Sequence, residues 1–144
     1  MSAAVDANLL LYASDTASPF HGRARDQLES LARGPDLLYL FWPVVMAYLR
    51  VSTHPAVFDR PLSADTAARN VGTLLARPHV RTPGEDEGFW DAYRTVSGAL
   101  VVRGNLVPDA HLVTLMRQYG VGTIWSHDRD FRKFEAVTVR DPFD

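Results

Sequence analysis

The order of apolar runs along this chain predicts an α/β fold with a largely parallel sheet. Short apolar runs of strand length alternate with longer stretches of helical periodicity. Proline, serine and glycine punctuate the longer stretches where helices should open and close. With 144 residues, 47% of them hydrophobic, and no repeat, low-complexity segment or linker, the chain fits one compact domain spanning residues 1–144.

The elements follow in order. "AAV" (3–5) reads as a short first strand that runs into Asp6, and "NLLLYA" as the helix behind it. Ser18 and Pro19 supply an N-cap and a first-turn proline for a helix that Gly34 closes. "LLYLF" (37–41) is a buried second strand, and Pro43 opens the helix "VVMAYLRVS". Ser63 caps a helix that continues to about Ala76. "HVRT" (79–82) is a third strand, followed by the acidic turn "PGEDEG" and a helix "FWDAYRTVSGALVV" ended by Gly104. Pro108 and Asp109 begin the next helix, with Val113, Met116 and Tyr119 on one face and Gly120 at its end. "VGTIW" (121–125) is a fourth strand, "DRDFRKF" a helical turn and "AVTV" (136–139) a last strand.

Composition removes several function classes. There are no cysteines, which excludes disulfides and thiolate zinc sites. The five histidines, His21, His54, His79, His111 and His127, show no zinc-protease spacing. No apolar stretch reaches bilayer length, and no charged segment precedes an apolar one at the N-terminus, so a cytoplasmic protein with no membrane association is expected. A net charge of −2 argues against a protein that coats itself with nucleic acid. The cations are 14 arginines and one lysine, Lys133. Genomic base composition explains that bias, and phosphate recognition by guanidinium would also use it.

Three aspartates stand at topologically equivalent places. Asp6 follows the first strand, Asp109 starts the helix before the fourth strand, and Asp128 follows the fourth strand. In a parallel α/β sheet all such positions lie on the carboxyl edge, where ligand sites form. If the first and fourth strands are neighbours at a switch point, the three carboxylates converge. Each could instead cap the helix that follows it. Jointly they suggest more, because clustered carboxylates repel unless a cation holds them. Hard oxygen donors without cysteine or paired histidines suit Mg²⁺ or Mn²⁺, the ions of phosphodiester hydrolysis.

The blocks "VDANLLLYA" (5–13), "VPDAHLVTLM" (107–116) and "TIWSHDRDFRKF" (123–134) resemble the three signature blocks of the PIN domain. More narrowly they resemble VapC ribonuclease toxins of type II toxin–antitoxin pairs, as does "WPVVMAYLRVSTHPAVF" (42–58). The likeness spans essentially the whole chain. It implies a three-layer α/β/α sandwich with a mainly parallel five-stranded sheet and an acidic Mg²⁺ or Mn²⁺ site. It also implies endonucleolytic cleavage of RNA, often tRNA, by a homodimer that a cognate VapB-type antitoxin neutralises. By motif, Asp6, Asp109 and Asp128 match family acids as catalytic metal ligands. Asp130 follows as a further ligand, through water, or as a turn cap. The chain departs from the family at Ala47, where many members carry a glutamate.

Other residues have two readings each. Glu85, Asp86 and Glu87 face the same edge but should lie about 10 Å away, two strand spacings of about 4.8 Å each, and read better as a solvated turn. Asn8 is expected to orient an active-site carboxylate. Ser126 would hold a water or a phosphate oxygen, or act as a cap. Arg50 would bind phosphate or join a surface ion pair. His111 and His127 are expected behind the site or at the surface, and Trp42, Phe89, Trp90 and Tyr93 in the core or a dimer interface. Two other functions remain. A PIN-like module that binds RNA or antitoxin without cleavage is favoured by Ala47. A phosphoacceptor receiver is disfavoured because Asp6 stands alone after its strand.

Overall fold

The computed structural model describes residues 1–144. Strand β1 (Ser2–Val5) leads through α1 (Ala7–Ser14) and α2 (His21–Arg33) to β2 (Leu37–Tyr39). Helices α3 (Trp42–Ser52) and α4 (Ala64–Leu75) lead to β3 (Val80–Arg81). Helices α5 (Phe89–Gly98) and α6 (Leu106–Gln118) precede β4 (Thr123–Trp125), and a 3-10 turn (Arg129–Lys133) precedes β5 (Thr138–Arg140). The five strands form one sheet in the order β3-β2-β1-β4-β5, and every pair is parallel. No helix is long and apolar enough to cross a membrane.

Strand order fixes the layers. From β1 the chain steps outward to β2 and β3, then returns across the sheet to β4 and β5. Right-handed crossovers therefore put α1 to α4 on one face and α5 and α6 on the other. Strand β1 is central, and Ala4 and Val5 are fully buried, as a strand covered on both faces requires. Leu9, Leu38, Leu40, Phe41, Tyr48, Leu115, Met116, Ile124 and Phe131 fill the space between layers. The reversal of direction falls between β1 and β4, which opens a crevice at their carboxyl ends.

Several boundaries differ from the sequence reading. Ser18 does not cap α2: its hydroxyl accepts the Phe20 N–H at 3.1 Å in a preceding turn, and the helix starts at His21. Gly34 does end that helix, at φ 83°, and any side chain there would run into the His79 ring. Helix α5 ends at Gly98 and not near Gly104, because "ALVV" continues only as an irregular link. Helix α6 begins at Leu106, so Pro108 and Asp109 are its third and fourth residues. Pro108 is tolerated there because first-turn N–H groups have no helical acceptor. The last two strands are shorter or later than read, starting at Thr123 and Thr138.

Candidate active site

Four aspartates gather in the crevice. Asp6 follows β1, Asp109 lies in the first turn of α6, and Asp128 and Asp130 enter and begin the 3-10 turn after β4. One carboxylate oxygen from each of Asp109, Asp128 and Asp130 lies within 4.8 Å of the others. Asp6 stands on the neighbouring strand, its backbone N–H donating to the Trp125 carbonyl at 3.1 Å. Asp130, ranked behind Asp128 on sequence, is thus a full member of the tightest trio.

The capping alternative resolves residue by residue. Asp6 does cap: one oxygen accepts the Ala7 N–H at 2.7 Å, and the other accepts the Ser126 hydroxyl at 2.9 Å. Asp128 caps with Oδ1, which accepts the Asp130 N–H at 2.9 Å. Asp109 makes no capping bond, since the helix begins before it and Asn105 holds the cap position. Its place needs another explanation.

Electrostatics supply one. Burial is the largest cause raising the Asp109 carboxyl from 3.8 to about 7, followed by the charges of Asp128, Asp6 and Asp130. Burial likewise raises Asp6, with the Asp128 charge adding to it and the Ser126 and Ala7 hydrogen bonds opposing it. The compensating cation is Lys133, whose Nζ lies 3.3 Å from Asp130 Oδ1. One exposed ammonium against four carboxylates leaves the cluster short of positive charge.

Ser126 organises this edge. Its buried hydroxyl donates to Asp6, accepts the Asp128 N–H at 2.9 Å, and accepts the Asn8 amide at 3.3 Å. A hydroxyl has one donor and two acceptor positions, so Ser126 is saturated. The capping reading of Ser126 is the one these bonds support, and the hydroxyl fixes Asp6 against Asp128. Asn8 bridges to the same turn, accepting the His127 N–H at 3.5 Å.

The remaining candidates lie outside the cluster. Glu85 is committed to His111 Nε2 at 2.7 Å, and this hydrogen bond is the largest cause lowering its carboxyl. Asp86 Oδ1 accepts the Glu87 N–H at 2.8 Å. The acidic turn is therefore structural, two strands from β1 as expected. His127 Nδ1 pairs with Asp141 Oδ2 at 2.8 Å, inside a ring cluster with Tyr12, Phe20 and Phe143. Arg50 joins none of the chain's ion pairs. Phe89 and Tyr93 pack on the core, whereas Trp42 and Trp90 are 40% and 63% exposed, so neither tryptophan is a core residue. Helix α3 carries no acidic side chain, and nothing there replaces the glutamate absent at Ala47.

No family model matches the chain. Ribonuclease VapC48 of Mycobacterium tuberculosis is 53% identical over 143 residues, covering 99% of both chains. The chain belongs to the VapC ribonuclease family. Solved structures agree on the PIN fold of that family. VapBC2 from Rickettsia felis, bound to a promoter DNA fragment, superposes with a TM-score of 0.71 at 14% identity, covering 97% of this chain and 98% of that one. Mycobacterium tuberculosis VapC20, a sarcin–ricin loop cleaving toxin, gives 0.65 at 18% identity, covering 94% and 98%. The five-stranded parallel sheet between helical layers is the VapC fold anticipated from the motif blocks. Lys133, whose Nζ lies 3.3 Å from Asp130 Oδ1, is a charged neighbour of the cluster that sequence reading did not place there, and its spacing three residues after Asp130 was the available signal.

Proposed function

We propose that this VapC-family chain is an Mg²⁺- or Mn²⁺-dependent endoribonuclease toxin that hydrolyses RNA phosphodiester bonds. The observation that carries the reading is the half-buried Asp109, held near 7 by burial and three like charges with no capping role. The donor set fits a hard divalent cation: the carboxylates of Asp109, Asp128 and Asp130 within 4.8 Å of one another, with Asp6 on the neighbouring strand, no sulfur and no paired histidine. Asp6, Asp109, Asp128 and Asp130 would hold it. A cation bound there supplies Lewis acidity toward a phosphate oxygen and makes water a better nucleophile.

The chain's own residues set the geometry. Ser126 and Asn8 lock Asp6 and the Asp128 turn together, so the carboxylates from two strands keep their spacing. Asp109 projects from a helix N-terminus packed on the sheet, which keeps it rigid. Lys133 neutralises Asp130 in part and presents an ammonium where a phosphate would approach. Purified protein should cleave RNA in Mn²⁺, lose cleavage in EDTA, and lose it by orders of magnitude as Asp109→Asn. Undiminished cleavage in EDTA would refute metal dependence. RNA binding without cleavage would favour the binding-module reading, for which the acid-free α3 is the supporting feature.

Two partners belong to this reading. A cognate VapB-type antitoxin neutralises the toxin by placing an arginine or lysine on the carboxylates, gaining charge-assisted hydrogen bonds. A complex with the acidic edge open to solvent would overturn that. A homodimer is the second partner of this reading, and the exposed apolar residues Trp42, Met46 and Trp90 are candidates for its interface. Sedimentation showing a monomer at micromolar concentration would remove the dimer.

A further inference from the structure

On the face that carries α1 to α4, the α2 residues Gln27, Ser30 and Leu31 border Thr123, Trp125 and Arg140 of β4 and β5. Strand alternation puts Thr123 and Trp125 on that face, with Ile124 buried on the other. Their partners in register are Thr138 and Arg140, both exposed. The Arg140 guanidinium stacks 4.9 Å from the Trp125 ring centroid.

Beside this pair runs a cleft of about 280 Å³ between α2 and the two strands. Trp125 and Arg140 form one wall, and Gln27, Ser30 and Thr123 offer amide and hydroxyl groups within it. Its acid, Asp36, is engaged by the N-terminal ammonium at 3.5 Å. Arg140 is in none of the chain's ion pairs, so its charge is available. The volume lies just under the roughly 300–1,000 Å³ of sites for drug-sized molecules, a size suited to a single nucleoside.

We propose that this cleft binds an unpaired nucleobase of RNA, stacked on Trp125, with Arg140 on the adjoining phosphate. The proposal rests on the ribonuclease reading and adds a substrate contact beyond the acid cluster. Aromatic faces stack any base, and a guanidinium both stacks and forks onto phosphate, the combination used for single-stranded nucleic acid. The incoming base replaces the guanidinium as the planar partner of the indole, and Arg140 turns its donors outward.

Backbone bonds join the two sites. The Trp125 carbonyl accepts the Asp6 N–H at 3.1 Å, and the Arg140 carbonyl accepts the Ser126 N–H at 3.0 Å. The cleft reaches the amino end of β1 at Ser2, about 13 Å from Asp6 at about 3.3 Å per residue. A single strand running along this face from the amino end towards the carboxyl edge would span both within a few nucleotides. A second copy of the chain fits this face poorly. The exposed apolar residues Trp42, Met46 and Trp90 lie elsewhere, while Thr138 and Arg140 are polar.

The test uses fluorescence. Trp42→Phe with Trp90→Phe leaves Trp125 as the sole tryptophan of three. In EDTA, a short single-stranded oligoadenylate should quench its emission saturably. Arg140→Ala should weaken binding about tenfold and lower the salt slope by about one. Arg140 is exposed, so this variant keeps the fold; Trp125→Phe, retaining a ring, should lose less affinity than Trp125→Leu. Labelled oligonucleotide that binds by anisotropy without quenching Trp125, or with unchanged affinity for Arg140→Ala, overturns the proposal. So does an absence of binding, or emission that responds to protein concentration and not to RNA. Wild-type cleavage in Mn²⁺ is read separately: cleavage without quenching removes only this site, and quenching without cleavage removes only the enzymatic reading.

Discussion

Asp109→Asn distinguishes a strained metal ligand from a structural acid by its pH dependence. In the metal-free protein, Asp109 ionises at about 7 in place of 3.8, chiefly through burial and then the charges of Asp128, Asp6 and Asp130. A raised folded-state value means the native state binds the proton more tightly than the unfolded chain. Its favourable contribution is therefore complete below about pH 4, and it is lost as pH rises to about 7. At 1.36 kcal/mol per pH unit the interval corresponds to about 4 kcal/mol. Solvent screening of a half-buried carboxylate reduces this to about 2 kcal/mol. Asparagine is isosteric and never ionises, so the variant escapes the loss. The two proteins should melt together near pH 4, and near pH 8 the variant should melt about 6 °C higher, at about 3 °C per kcal/mol. Mn²⁺ reverses the order. At a hundredfold excess over its dissociation constant, native-state binding adds about 2.7 kcal/mol to wild type, and the variant should lose most of that gain. Calorimetric melts at both pH values, with EDTA and with Mn²⁺, read all four states. A wild-type–variant difference constant from pH 4 to pH 8, or an intact Mn²⁺ gain in the variant, would refute the reasoning.

Three further predictions concern the surrounding residues. Ser126→Ala leaves Asp6 Oδ2 without its donor, so urea melts should show a loss of about 1–3 kcal/mol and cleavage should fall at least tenfold; unchanged cleavage would show that Asp6 needs no orienting hydroxyl. Ala47→Glu should tighten Mn²⁺ binding more than it raises the cleavage rate, and unchanged or weaker affinity by calorimetry would mean position 47 does not face the cluster. Glu85→Gln breaks only the His111 pair and should leave metal affinity and cleavage within about twofold, since an exposed ion pair contributes at most about 1 kcal/mol; a large loss of Mn²⁺ binding would bring the acidic turn into the site.

Periodicity and punctuation in the sequence determined the alternation of strands and helices, because each element's burial pattern is written in consecutive residues. They also placed Asp6, Asp109 and Asp128 at one sheet edge, since in a parallel sheet the carboxyl end of every strand opens on the same side. Helix ends were less legible. "ALVV" continues the apolar pattern of α5, yet the helix stops at Gly98, and α6 starts before its proline. Apolar composition marks burial and does not by itself mark where a helix must turn. Only the tertiary structure decided which aspartates cap and which do not, because α6 starts at Leu106, two residues before Pro108, with Asn105 and not Asp109 at the cap. It alone showed Ser126 saturated by partners as distant in sequence as Asp6 and Asn8. It alone showed Trp125 and Arg140 stacked together at the wall of a cleft beside α2. Those facts depend on the directions of side chains that meet across strands, and no local pattern encodes a direction set by a neighbour 120 residues away.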